Sequence, residues 1–266
     1  MSGPNLAIYS MVLGFQRRYW WQLSSLAQQT AEGDRPVPNI RAVADVSRRD
    51  PHWAWNEQLA KTFSTRIDFS QIEWDAEDER YGRRGHIRSA DLKHALDDGW
   101  ADWILFNDCD MVYEPRYFSR LMQLVQGLED EHRVFATHRH SMAFEDGYSL
   151  INSFNYQGEV PAAFGRASTL TTWPAARGRI SGAGFFQLIS VRALRRLIEK
   201  DPGYLDYVPD NWNRDHNTFE RNHITHSDRK FRSRLGGIYP LPECLTQLHL
   251  NHYRKNDEEY PHGECH

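Results

Sequence analysis

Four short strand-like runs, residues 6–13 and 103–106 apolar throughout or nearly so and 40–46 and 67–74 alternating apolar with polar, each hand over to a stretch with helical spacing: 15–29, 53–63, 86–96 and 116–128. No other feature constrains the fold as strongly. A strand buried on both faces reads as a near-continuous apolar run, as LAIYSMVL and WILF do, and parallel strands need a crossover, usually a helix, between them. The first half therefore predicts an α/β fold with a mainly parallel central sheet flanked by helices. Leu23, Leu26 and Ala27 recur at helical spacing beside Tyr19, Trp20 and Trp21. Pro36 and Pro38 break the chain before the second run, Gly99 stops the third helix and Pro115 suits the first turn of the fourth.

The second half is less regular. Residues 133–137 and 185–190 read as strands, and 191–200 as a helix carrying Leu194, Leu197 and Ile198. Residues 141–180 read as loops with short strands, 201–222 as polar and irregular, and 227–235 as a basic helix. No repeat, low-complexity tract or linker divides the 266 residues, so a single domain is expected. Lys and Arg total 32 against 36 Asp and Glu, a net charge of -4. That lacks the basic excess of a nucleic-acid binder. The longest apolar runs fall far short of the ~20 residues of a membrane-spanning helix, and residues 1–4 carry no signal-peptide pattern. The three cysteines, Cys109, Cys244 and Cys265, form no CxxC pair, so a reducing, cytoplasmic setting is expected.

Ligands of open parallel sheets bind beyond the carboxyl ends of the strands. Asp45 and the pair Asp108 and Asp110 are read at two such ends. In WILFNDCDMVYEP the two carboxylates stand two residues apart, and alternate side chains of an extended chain point the same way. Such a pair can hold Mg2+ or Mn2+, which recruits phosphate oxygens as further ligands. In QLHLNHYRK, residues 247–255, His249 and His252 stand three apart. Imidazole readily completes a carboxylate metal site, and Arg254 and Lys255 suit a diphosphate. His223, His226 and His262 are further candidates. Gly182 and Gly184 allow close backbone approach to a ligand, but no GxGxxG or Walker sequence is present. Trp173, Tyr207 and Trp212 could stack on sugar rings or pack in the core.

Taken in order, these segments resemble the family 2 glycosyltransferases, which have the GT-A (nucleotide-diphospho-sugar transferase) fold. SMVLGFQRRYWWQLSSLAQQT (10–30) is similar to the family's opening strand, turn and helix, with its closing Leu-x-x-Gln-Thr phrase. AVADVS (42–47) resembles the second strand, and RRGHIRSADLKHAL (83–96) the Gly-rich lead-in to the next helix. WILFNDCDMVYEPRYFSRL (103–121) resembles the DxD strand and the helix after it. GAGFFQLISVRALRRL (182–197) and HSDRKFRSRLG (226–236) resemble the two acceptor-side segments. The resemblance covers most of residues 6–236. It implies a hexosyltransferase that moves sugar from a UDP- or GDP-linked donor to a carbohydrate or other hydroxyl acceptor, with Mn2+ or Mg2+ and with inversion.

The resemblance also implies roles. Asp45 contacts the base, usually uracil. Asp108 and Asp110 bind the ribose and the metal-bridged diphosphate. Asp228 takes the place of the catalytic base, Arg88 serves the diphosphate, and His252 is preferred to His249 as the third protein ligand to the metal. Residues 1–130 then form the nucleotide-sugar half, and 131–266 the acceptor half with the C-terminal metal and diphosphate segment. Two departures stand out: Ser227-Asp228 replaces Glu-Asp, and no Ala-Arg-Asn phrase follows Gly85. Without a base role, Asp228 reads as a helix N-terminal carboxylate.

Two alternatives stay open. Asp108-Cys109-Asp110-Met111-Val112 formally fits a haloacid-dehalogenase-type phosphatase, whose first Asp is the nucleophile. That motif normally sits on the first strand, however, and three strands are expected before this one. The other alternative is a non-catalytic sugar-binding protein with the same fold, which the Ser227 departure would suit.

Overall fold

The computed structural model describes residues 3–12, 15–48, 50, 52–74, 84–137, 140–144, 167–172, 186–203, 235–241, 245 and 247–250. The first apolar run becomes β1 (Asn5–Met11), and α1 (Gln16–Ala27), β2 (Asn39–Ser47), α2 (Trp53–Phe63) and β3 (Asp68–Trp74) follow. Then come α3 (Arg84–Asp98), β4 (Trp103–Asp108), β5 (Met111–Tyr113), α4 (Tyr117–Val125) and β6 (Val134–Ala136). The later elements are β7 (His140–Phe144), β8 (Ala167–Thr172), β9 (Phe186–Ser190), α5 (Val191–Lys200), β10 (Ile238–Pro240) and β11 (Gln247–Leu250). The expected basic helix at 227–235 lies outside the described residues up to position 234.

Seven strands form the main sheet in the order β10-β6-β9-β4-β1-β2-β3. β1 to β4 run parallel, β9 runs against β4 and β6, and β10 is parallel to β6. The sheet is thus mainly parallel, with one reversed strand. Its two faces follow the alternation of the strands. Leu6, Ile8, Ala42, Ala44 and Leu105 pack with Tyr19, Trp20 and Leu23 of α1, Phe63 of α2 and Phe118 of α4. Ala7, Tyr9, Val43, Ile104 and Phe106 pack with Leu92 and Ala95 of α3 and Leu194 of α5. Among the described residues, no helix is long and apolar enough to cross a membrane.

A second sheet of four strands has the order β5-β11-β7-β8. β11 pairs antiparallel with β5 and parallel with β7. Its first residue is fastened by a buried cluster: the Tyr117 hydroxyl donates to Gln247 Oε1 at 3.1 Å, and Gln247 Nε2 donates to Thr137 Oγ1. Segments far apart in sequence thereby meet beside β5.

The Leu-x-x-Gln-Thr phrase has a structural use. Gln29 Oε1 accepts the Phe118 N–H at 3.2 Å, and Gln29 Nε2 donates to the Glu114 carbonyl at 2.9 Å. The Thr30 N–H donates to the Pro115 carbonyl at 2.6 Å, and the Ser119 hydroxyl donates to the Thr30 carbonyl at 3.0 Å. Phe118 lies in the first turn of α4, whose N–H groups lack partners within the helix. The segment just after α1 therefore caps α4. Pro115 stands two residues ahead of that helix, not in its first turn as expected, and contributes its carbonyl to this clamp. We expect Gln29→Ala to lower the unfolding free energy by about 1–2 kcal/mol, the scale of a lost cap. Urea denaturation checks this, and an unchanged midpoint would remove the clamp from the account of α4.

Candidate nucleotide and metal site

The strand register assembles the site. Met11, at the end of β1, is level with Asp45 on β2 and with Asp108 on β4. Residues level with one another on parallel strands present their side chains to the same face, and two strand spacings separate Asp45 from Asp108 by about 10 Å. Asp110 lies in the turn just beyond β4, is 5% exposed, and leads directly into β5.

A buried polar scaffold holds this turn from the α1 side. Ser10 Oγ lies 2.6 Å from Asn107 Oδ1 and 3.0 Å from Gln22 Oε1. Gln22 Nε2 donates to the Asp108 carbonyl at 2.9 Å, and Asn107 Nδ2 donates to the Tyr113 hydroxyl at 2.6 Å. Burial pushes the Tyr113 phenol upward, its hydrogen bond with Asn107 opposes this, and the Asp108 and Asp110 charges push it further. Ser10, Gln22, Asn107 and Tyr113 are all buried and link β1, α1, β4 and β5.

Asp45 has an unexpected neighbour. It is 3% exposed, and its Oδ1 accepts the Trp74 indole N–H at 2.8 Å. Asp91 of α3, 1% exposed, shares a side-chain hydrogen bond with it. Burial raises the Asp45 carboxyl well above the usual carboxylate range, and the bonds from Trp74 and Asp91 pull it back. Burial raises Asp91 as well, and the Asp45 charge and the bond to it add to that, while the Arg88 guanidinium opposes. Two carboxyls in contact cannot both ionise cheaply, so one proton stays between them.

Arg88, on α3, donates from Nη1 to Gln187 Oε1 of β9 at 2.9 Å, with its guanidinium 5.8 Å from the centre of the Phe106 ring. It thus reaches across the face of the sheet that Asp45 also faces. His249 lies in β11, where it is opposite Met111, the residue after Asp110. Asp228, His252, Arg254 and Lys255 lie outside the described residues. Among the described residues no group of three or more His, Cys, Asp or Glu is assembled for a metal ion.

No family model matches the sequence, and no curated protein matches it. Solved structures do match. S. aureus TarS 1–349 in complex with UDP has a TM-score of 0.54 at 13% identity, over 96% of this chain and 63% of that one. The same protein in complex with UDP-GlcNAc gives 0.53 at 11% identity, over 94% and 59%. GalNAc-T7 with UDP, GalNAc and Mn2+ gives 0.51 at 12% identity, over 93% and 44%. The fold is of the GT-A type. The chain spans less than two thirds of the length of each of these GT-A structures.

Within the GT-A frame, the sequence reading missed Ser10, Gln22, Trp74, Asp91 and Tyr113. Asp91 had one available signal: it falls on the apolar side of α3, one place before Leu92 and four before Ala95, where a carboxylate needs a partner. The paired carboxyls also set a pH dependence. A carboxyl raised on folding contributes stability that is complete below its unfolded value and is lost as pH rises through its folded value. We expect Asp91→Asn to gain stability relative to the wild-type protein as pH rises from about 4 to about 8. Urea midpoints across that range test this, and parallel profiles for the two proteins would refute the shared proton.

Proposed function

We propose that the chain is a hexosyltransferase that moves sugar from a nucleotide-diphosphate donor, UDP- or GDP-linked, to a carbohydrate or other hydroxyl acceptor, with inversion. The observation that carries this reading is the row Asp45–Met11–Asp108 across the carboxyl ends of three parallel strands, with Asp110 one turn beyond. A base held near Asp45 and a diphosphate held near Asp108 and Asp110 span a row of that length. The glycosyltransferase neighbours support it as well: one is in complex with UDP-GlcNAc and another with UDP, GalNAc and Mn2+. The whole of residues 1–266 serves as one GT-A domain in this reading.

The donor set suits Mn2+ or Mg2+. Carboxylate oxygens at a strand end are hard ligands, and such ions keep several positions for phosphate oxygens and water. Asp108 and Asp110 are the protein carboxylates of the site. β11 runs beside β5 with His249 opposite Met111, and an imidazole of His249 or His252 is the third protein ligand in this reading. An ion held by Asp108 and Asp110 would supply positive charge to offset what develops on the departing nucleoside diphosphate. Arg88, Arg254 and Lys255 add positive charge on the diphosphate side. Asp228 accepts the proton of the acceptor hydroxyl as that oxygen attacks the anomeric carbon, which is the work of a general base.

Two outcomes test the reading. Asp110→Asn, nearly unchanged in shape, is expected to abolish the manganese-dependent part of UDP binding in calorimetry while leaving the thermal transition cooperative. Equal UDP affinity with and without the substitution, manganese present, takes Asp110 out of the site. Asp228→Asn is expected to slow sugar transfer by about 10²–10⁴-fold while leaving donor affinity intact. Transfer within a few-fold of wild type, with chemistry rate-limiting, would assign the base elsewhere. Release of inorganic phosphate from simple phosphate esters, with no donor turnover, would favour the phosphatase instead.

A further inference from the structure

Asp45 is held by two partners inside the protein. The Trp74 indole N–H occupies one carboxylate oxygen, and the Asp91 carboxyl bonds to the group from α3. An ionised carboxylate offers about four lone-pair positions, so two bonds leave Asp45 able to accept one more. Asp91 is different: it is 1% exposed, and its Oδ1 is buried without a hydrogen-bond partner. A buried carboxylate in that state is costly, whereas a protonated carboxyl that donates to Asp45 is not.

The other groups around the pair do not supply this proton. From β1, the Tyr9 hydroxyl feels both carboxyls and is itself 2.9 Å from His94 Nδ1. Arg41 on β2 and Asp98 on α3 act on Tyr9 from further away, and Arg41 is bonded to Asp68 and Asp98. Tyr19 of α1 lies on the opposite face of the sheet and feels only Asp45 of the pair. Arg88 of α3 is the cation that acts on Asp91.

We propose that Asp91 is a positioning residue for nucleobase recognition: it donates a retained proton to Asp45, which keeps Asp45 an acceptor aimed at the ring N–H of a base such as uracil. This rests on the donor-binding reading above. Asp91 itself touches no substrate. Trp74 and Asp91 orient the Asp45 carboxylate, and the donor hydrogen bond from Asp91 is what holds it ionised.

A pH profile separates this from a role in packing alone. UDP affinity of the wild-type protein is expected to fall toward acid as Asp45 takes up a proton. In Asp91→Ala that fall moves to higher pH by about one unit, because the ionised form has lost a donor. Asp91→Asn, whose amide N–H replaces the shared proton, restores the wild-type position. UDP carrying an N3-methyl group, which has no ring N–H, lacks the difference among the three proteins. The diphosphate titrates alike in all of them and cancels. A fall at the same pH in wild type and Asp91→Ala overturns the proposal, as does an N3-methyl analogue that behaves like UDP. Failure of the wild-type protein to bind UDP at any pH is a different result, and it overturns the donor-binding reading. The proton itself is followed without nucleotide by the 13C carboxyl resonance of Asp45. A titration unmoved by Asp91→Ala refutes the sharing whatever the nucleotide does.

Discussion

Two hydrogen-bonded ladders meet on β1, and everything at the carboxyl end of the sheet depends on their register. Met11 is level with Asp45 through one ladder and with Asp108 through the other. A slip of one residue in either would turn a carboxylate to the opposite face. That slip is opposed along the whole strand, because Ala7 and Tyr9 face α3 and α5 while Leu6 and Ile8 face α1 and α4. The apolar core thus sets the geometry of a polar site that contributes little to it.

The polar scaffold beneath β4 does for the turn what the core does for the strands. Asn107 lies on the α1 side of β4 and bonds to Tyr113 on β5, so the turn that carries Asp110 is tied at both its ends. Buried amides and hydroxyls cost free energy unless they are paired. Ser10, Gln22, Asn107 and Tyr113 meet that condition largely by bonding to one another. The same logic explains the charged brace outside α4, where Arg120 bonds to both Glu32 and Glu114 and adds a partly exposed link to the Gln29 clamp. Exposed ion pairs of this kind contribute little each, so the amide is the stronger part of that clamp.

Legibility in the sequence followed the strength of the local signal. β1 to β4 and their helices were readable because buried strands and amphipathic helices repeat a pattern over many residues; α2 and α5 match the expected bounds residue for residue. The carboxylates at the strand ends were readable because strand phasing is local. β5, with three residues, and β11, with four, are too short to show a period. Their pairing belongs to tertiary structure. Asp91 and Trp74 reach Asp45 from separate elements, and no spacing in one chain reveals that three side chains will meet. The reversed direction of β9 was likewise invisible, since a strand's own sequence carries no sign of its orientation.

The Tyr117–Gln247 hydrogen bond joins residues 130 positions apart. It has a kinetic consequence. Closing so long a loop carries an entropic cost before any contact rewards it. During synthesis, β1 to β4 and α1 to α4 have all emerged by residue 125 and can pair before β11 exists, while the edge of β5 stays open until β11 has emerged and docked. For that interval the strand next to Asp110 presents unpaired backbone groups to its surroundings. The strand-end carboxylates would be in place well before the sheet beside them is closed.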